Sequence, residues 1–352
     1  MKVGVVVIGR NEGERLRRCL ESIAGSAQSA VYVDSGSTDG SVELARQMGF
    51  AAVELDMAEP FSAARARNAG YAALVRSQPD TAYVQFVDGD CELLPDWLTI
   101  ALNALEGRQK LAAVAGRLRE RAPEASIYNR LGEMEWNFLG SGDVGAVGGI
   151  FMIRRKAFDS VGGFDPTVRA GEEPELCQRL GRAGWVISRL DVDMALHDLA
   201  MSRFGQWWKR QIRNGYGGLD VANRFDLPRF RRNTLRARFW SAWPFLVVLA
   251  GVGVEAVAGA WPGWIAALMV FGLWPLQMTR IGLRTRRQGQ PPRIAIAYAF
   301  YTMLALWPQM LGQMRYVLDR GRNRSPRLIE YKSASPVSRA EGMHGEAVHE
   351  HP

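Results

Sequence analysis

The sequence predicts an α/β fold: a mostly parallel sheet covered by helices, followed by apolar helices at a membrane. Three observations carry this prediction. Short apolar runs alternate with amphipathic stretches through the first hundred residues, polar clusters follow the ends of those runs, and long segments beyond residue 238 carry almost no charge. Strands alternating with helices build parallel sheets, and such sheets bind ligands at the carboxyl ends of their strands.

Val3 to Ile8 reads as the first strand. It is too short for a signal peptide, and charged Arg10, Glu12 and Glu14 follow at once. Glu14 to Ile23 is an amphipathic helix, Ala30 to Val33 a strand, Ser41 to Met48 a helix and Ala51 to Glu54 a short strand. Ser62 to Val75 is helical, and Ala82 to Val87 is a strand that runs into Asp88. The polar clusters Asn11-Glu12, Asp34 to Asp39 and Asp88 to Asp90 then fall at strand ends.

A second block, about 111 to 200, holds a strand at Gly148 to Ile153, a turn at Gly162-Gly163, and an acidic helix start at Glu172-Glu173-Pro174-Glu175. His197 closes a strand at Val192 to Leu196. Gly140 to Gly145 fits GxGxxG but leads into a strand rather than a helix, so it is read as a flexible loop and not as a dinucleotide site. No GxxxxGK phosphate loop is present.

Phe239 to Thr279 carries one charge, Glu255, and about 20 residues suffice for a span. Trp261 to Trp264 reads as the turn of a two-span hairpin, about 240–279. Ile294 to Met314 is a third uncharged segment. Arg224 to Arg238 on one flank of the hairpin and Arg280 to Arg287 on the other place both ends in the cytoplasm. The basic stretch after Met314 conflicts with three full spans, leaving the third segment re-entrant, interfacial or an exception to the rule. Gln206 to Tyr216, basic and aromatic, is read as an amphipathic helix at the bilayer surface or as an element touching the acceptor or diphosphate. The expected domains are 1–222, catalytic; 223–332, membrane-associated; and 333–352, a disordered tail with His344, His349 and His351. The net charge of +8 gathers around the apolar segments after residue 200, favouring a membrane partner over nucleic acid. Cys19, Cys91 and Cys177 form no CxxC pair, which argues against disulfides or a cysteine zinc site and fits a reducing compartment.

Asp88-Gly89-Asp90 places two carboxylates one small residue apart at a strand end, where they can share a hard cation and leave room for phosphate. Alone, the triplet suits many turns. In order along the chain, Val5 to Glu12 with Leu20-Glu21-Ser22-Ile23, Val33 to Ser41, Ala66-Arg67-Asn68-Ala69-Gly70, Asp88-Gly89-Asp90, and Gly162 to Asp165 with Glu172 to Leu176 resemble the motifs of the family 2 glycosyltransferases. The resemblance covers about residues 3 to 200 and implies a GT-A fold, with a Rossmann-like nucleotide-sugar-binding sheet and inversion at the anomeric carbon. It implies that Asp34 binds the base or ribose, that Asn11, Glu12 and Asp39 shape that pocket, and that Arg67 and Asp88 approach the nucleotide-sugar. Ser35 stands where the family often has Asp or Asn. The motif usually written Glu-Asp is Glu172-Glu173 here, with Glu173 the expected general base and Glu172 the other candidate. Asp88, Asp90 and His197 are the expected ligands of a divalent cation, Mn²⁺ or Mg²⁺.

The expected reaction transfers a sugar from a nucleotide-sugar, in the first instance a UDP-sugar, to a lipid-linked or envelope polysaccharide acceptor, with the catalytic domain on the cytoplasmic side of the inner membrane. A nucleotidyltransferase of related fold, or a non-catalytic membrane protein with a degenerate transferase module, are the competing readings.

Overall fold

Each apolar run of the first ninety residues becomes a strand in the computed structural model, which describes residues 2–322 except 26–28, 138–139, 169, 226–227 and 259–262. The chain divides into two compact units, Met1–Met201 and Ser202–Tyr331. The first begins with β1 (Lys2–Gly9), α1 (Glu14–Ala24), β2 (Ser29–Asp34), α2 (Ser41–Gln47), β3 (Ala51–Glu54), α3 (Ala63–Ser77) and β4 (Thr81–Asp88). It continues with β5 (Cys91–Leu93), α4 (Trp97–Gly107), β6 (Leu111–Glu120), α5 (Ile127–Trp136), β7 (Gly142–Asp143), β8 (Phe151–Arg154), α6 (Arg155–Ser160), α7 (Glu172–Arg182) and β9 (Val186–His197).

The sheet order is β3-β2-β1-β4-β8-β6-β9-β5, with β7 paired to β9. β1 to β4 are parallel, as the alternating pattern predicts. The later strands make the sheet mixed: β8 runs antiparallel to β4 and β6, β5 and β7 run antiparallel to β9, and only β6 with β9 is parallel. Val5, Val6, Val7, Val84, Phe86 and Val87 are fully buried, as expected of central strands covered on both faces. Gly140 to Gly145 is not simply a loop, because its Gly142–Asp143 segment bridges β9 and Asp143 pairs with Arg108 at 2.8 Å.

α3 approaches the sheet closely. A Cβ at Gly70 would lie 2.4 Å from Val6 Cγ1 and 2.8 Å from Val33 Cγ2, so only glycine lets the helix seat there. One turn earlier, this seating brings Arg67 down over the strand ends.

The second unit comprises α8 (Phe204–Arg224), α9 (Pro228–Ala258), α10 (Gly263–Arg287), α11 (Pro292–Leu304) and α12 (Leu306–Gly321). The amphipathic stretch at 206–216 is thus the core of α8. That helix belongs to the helical unit, which begins at Ser202. The reason is contact between backbones: a Cβ on Gly215 would lie 2.0 Å from the Gln309 carbonyl oxygen, and one on Gly312 2.1 Å from that of Ile212. The third apolar segment is broken at Ala305. Pro308 has no N–H to give the Leu304 carbonyl, and its ring crowds that carbonyl, so α11 ends and α12 begins there.

Among the described residues, one helical stretch, Pro292–Gly321, is long and apolar enough to cross a membrane. α9 and α10 do not meet that measure among the described residues. Both nevertheless expose large apolar side chains, including Phe245, Leu249, Leu276 and Leu283. Trp261 and Pro262 of the expected hairpin turn, and the tail 333–352 with its three histidines, lie outside the described residues.

Candidate active site

Two polar groups gather at the carboxyl ends of the strands. The first is built on the β4–β5 turn and the end of β9. Gly89 donates its N–H to the Ile8 carbonyl at 2.8 Å, and a Cβ there would lie 3.2 Å from that oxygen, a close approach that glycine makes without displacing it. The turn buries the Asp90 side chain, which is 3% exposed, beside His197, whose Nε2 lies 3.2 Å from Asp90 Oδ2. The backbone fixes this meeting: Asp198 N–H donates to the Asp90 carbonyl at 3.0 Å, and Cys91 pairs with His197 across β5 and β9. Glu120 Oε2 faces the other imidazole nitrogen at 3.8 Å, and the Trp136 ring packs edge-on to the imidazole at 4.4 Å between centroids.

Cys91 adds a thiol that the sequence alone did not single out. Its Sγ donates to Asp90 Oδ1 at 3.4 Å, and ligand atoms of Asp90, Cys91 and His197 all lie within 4.8 Å of one another. A carboxylate from the β4–β5 turn and an imidazole from the end of β9 converge as ligands that fit a divalent cation.

The second group is ionic. Arg67 is 2% exposed and donates from Nη2 to Asp88 Oδ1 at 2.9 Å, and from Nη1 to Glu172 and Glu173, each at 3.0 Å. Burial opposes its charge, but Asp88, Glu173 and Glu172 together outweigh that and hold the guanidinium more firmly protonated than usual. Asp88, about a third exposed, is therefore turned toward Arg67, and it does not share the Asp90–Cys91–His197 cluster. The Glu173 carboxyl is pushed up to about 7, first by burial and then by the Glu172 charge, with Arg67 pulling the other way. Glu172 and Glu173 occupy the first turn of α7, after Gly171 in the left-handed conformation.

Two further residues hold this group in place. Asn68 exchanges hydrogen bonds with the backbone of Phe164, at 2.8 and 3.0 Å, and so fixes the segment that leads to α7. Gly149, expected within a strand, instead precedes β8: a Cβ there would lie 2.6 Å from both Arg67 Nη2 and Asp88 Oδ2.

The β1–α1 and β2–α2 loops are tied into one wall. Asp34 is buried, and each of its oxygens is occupied: Oδ1 accepts from Tyr32 Oη and Ser37 Oγ, Oδ2 from the Gly36 and Ser37 N–H groups. Asn11 N–H donates to Ser37 Oγ at 2.9 Å, and Asn11 Oδ1 accepts from Thr38 N–H at 2.8 Å. Asp39 accepts from Gly13 N–H at 2.9 Å and also takes Ser41 N–H at the start of α2. Glu12 pairs with Arg15 at 2.9 Å. Asp34 thus organises the loop rather than presenting open oxygens.

The family model for glycosyl transferase family 2 matches residues 4–162, and that for glycosyl transferase family group 2 matches residues 109–308. The chain belongs to the family 2 glycosyltransferases. Of the readings the sequence left open, the glycosyltransferase is therefore the one that holds. This transferase is 26% identical over 232 residues to glycosyltransferase AglE of Haloferax volcanii, covering 62% of the chain and 73% of that protein. It is 31% identical over 232 residues to a pre-mycofactocin glycosyltransferase of Mycobacterium tuberculosis, covering 61% of the chain but 46% of that relative's length. The solved mannosyltransferase PcManGT from Pyrobaculum calidifontis, in complex with GDP-Man and Mn²⁺, matches with a TM-score of 0.56 at 19% identity, over 89% of the transferase and 87% of that chain. The mixed sheet is the GT-A fold.

Proposed function

We propose that the transferase moves a sugar, with inversion, from a nucleoside-diphosphate donor to a hydroxyl of a lipid-linked or envelope polysaccharide acceptor at the cytoplasmic face of the inner membrane. The observation that carries this reading is the meeting of Asp90 and His197 at 3.2 Å, two residues from Asp88, which shares Arg67 with Glu172 and Glu173. The exposed apolar side chains of the helical unit and the Pro292–Gly321 stretch support a membrane-borne acceptor.

Asp90 and His197 would hold a divalent cation, Mn²⁺ or Mg²⁺, which supplies charge neutralisation for the departing diphosphate. Asn11, Glu12 and Asp39 line the nucleotide pocket, and Asp34 acts there through the loop it folds. Glu173 takes the proton of the acceptor hydroxyl onto a carboxylate oxygen. The freed oxygen bonds to the anomeric carbon from the face opposite the diphosphate, and the old carbon–oxygen bond breaks as the new one forms. Arg67 holds Glu173 and Asp88 in fixed positions throughout, and Glu172, shielded behind it, sets the charge that keeps Glu173 basic near neutrality.

The test incubates the full chain with UDP- and GDP-sugars, Mn²⁺ or Mg²⁺, and bacterial membrane lipid. Release of nucleoside diphosphate, lost on chelation and in Asp90→Ala, is expected. Pyrophosphate release, or no release with any donor, would overturn the proposal.

A further inference from the structure

The α10 helix of the second unit has two differently used stripes. Trp274, Met278 and Ile281 pack inward against the cluster formed by Ala237, Met303 and Leu306. The stripe beside them borders an open cleft of about 670 Å³, whose lining includes Leu276, Arg280, Leu283, Arg284 and Arg287 of α10 and Trp240 of α9.

The order of residues along this stripe is informative. Positions 276, 280, 283, 284 and 287 share one helix face, and at 1.5 Å per residue they span about 16 Å. The face passes from apolar at Leu276, 65% exposed, to three arginines around Leu283, 56% exposed. One end of the cleft therefore suits hydrocarbon and the other an anion, with Trp240 alongside, a residue favoured at bilayer interfaces. Guanidinium groups bind phosphate oxygens through paired N–H donors. Few soluble anions need the apolar end, and few neutral lipids need three arginines.

We infer that this cleft binds a membrane lipid with a phosphate monoester headgroup, the phosphate held by Arg280, Arg284 and Arg287 and the first part of the chain by Leu276, Leu283 and Trp240. The inference is read by binding and does not depend on the catalytic proposal.

Arg286 provides an internal control. It lies on the same turns and carries the same charge, but it donates to the Gln290 carbonyl and does not line the cleft. Native mass spectrometry of the full chain in detergent, titrated with phosphatidic acid, phosphatidylcholine or inorganic phosphate, tests the site. A one-to-one adduct with phosphatidic acid is expected, with phosphatidylcholine and inorganic phosphate far weaker. R280Q/R284Q/R287Q should weaken it on the order of a hundredfold, and Arg286→Gln should not change it. Leu276→Ser, which leaves every charge in place, should weaken phosphatidic acid several-fold and leave inorganic phosphate unaffected; circular dichroism confirms helix content in each variant. The inference fails if Arg286→Gln is as damaging as loss of a lining arginine, since bulk charge then suffices. It fails equally if inorganic phosphate competes as well as the lipid, or if the triple variant keeps its adduct.

Discussion

Arg67 Nη1 lies 3.0 Å from Glu173 Oε1, with 3% of the arginine side chain and 14% of the glutamate side chain exposed. Burial and the neighbouring Glu172 push the Glu173 carboxyl up to about 7 despite this contact. As the proposed base, Glu173 works only when deprotonated, so kcat/KM should rise through about pH 7 to a plateau. Glu173→Gln should lower kcat on the order of 10²- to 10⁴-fold and remove that limb, whereas Glu172→Gln should shift the limb to lower pH. The sign for stability is opposite. The folded state holds the proton where an unfolded chain has lost it, so this contribution is present below pH 4.5 and lost as pH rises through about 7. Chemical denaturation at pH 5 and 8 should show less pH dependence in Glu173→Gln than in the native chain.

Gly149→Ala should damage activity more than stability. The new methyl group would sit 2.6 Å from Arg67 Nη2 and Asp88 Oδ2, forcing the ion pair apart. Displacing groups beside the reacting centre costs on the order of 100-fold in rate, and overpacking costs roughly 1–3 kcal/mol. Gly148→Ala, whose Cβ meets nothing within 4 Å, should leave kcat and thermal midpoint unchanged.

The two aspartates of the Asp-Gly-Asp triplet should separate in calorimetric titration with Mn²⁺. Asp90→Asn and His197→Ala remove cluster ligands and should abolish measurable binding. Asp88→Asn should retain most of it, because Asp88 is engaged by Arg67. Equal loss in Asp88→Asn and Asp90→Asn would show that Asp88 leaves Arg67 to join the cation.

The sequence made some of this arrangement readable and hid the rest for identifiable reasons. Alternating apolar runs are set by local periodicity, so β1 to β4 and the helices between them can be placed from the order of apolar and polar residues. Asp90, His197 and the acidic start of α7 were readable because their strand and helix ends were. Arg67 could be placed near the site, but its three carboxylate partners come from residues 88, 172 and 173 and depend on how closely Gly70 lets α3 approach the sheet. Cys91 and Gly149 carry no motif; the register of β5 against β9 and the path into β8 give them their places. The antiparallel strands after residue 90 were missed because long-range pairing, not local pattern, orients them. Pro308 was a visible signal for the break in the third apolar segment, and its position predicts the break at Ala305.

In the helical unit, Gly215→Ala and Gly312→Ala should each lower the thermal midpoint. Each adds a methyl group about 2 Å from a backbone carbonyl oxygen, which no side-chain rotation relieves. A cost at the upper end of the roughly 1–3 kcal/mol for overpacking is expected. Gly253→Ala, with open space around its Cβ, should be neutral or slightly stabilising.

The same crossing imposes an order on biosynthesis. Gly215 leaves the ribosome about a hundred residues before Gly312 on the helix it crosses, and at 5–20 residues per second its helix waits on the order of ten seconds. During that interval the sheet unit can complete its fold while α8, still lacking α12, presents an uncovered face. A nascent chain halted between the two glycines would be a protease-sensitive intermediate, and release of Gly312 would seal it.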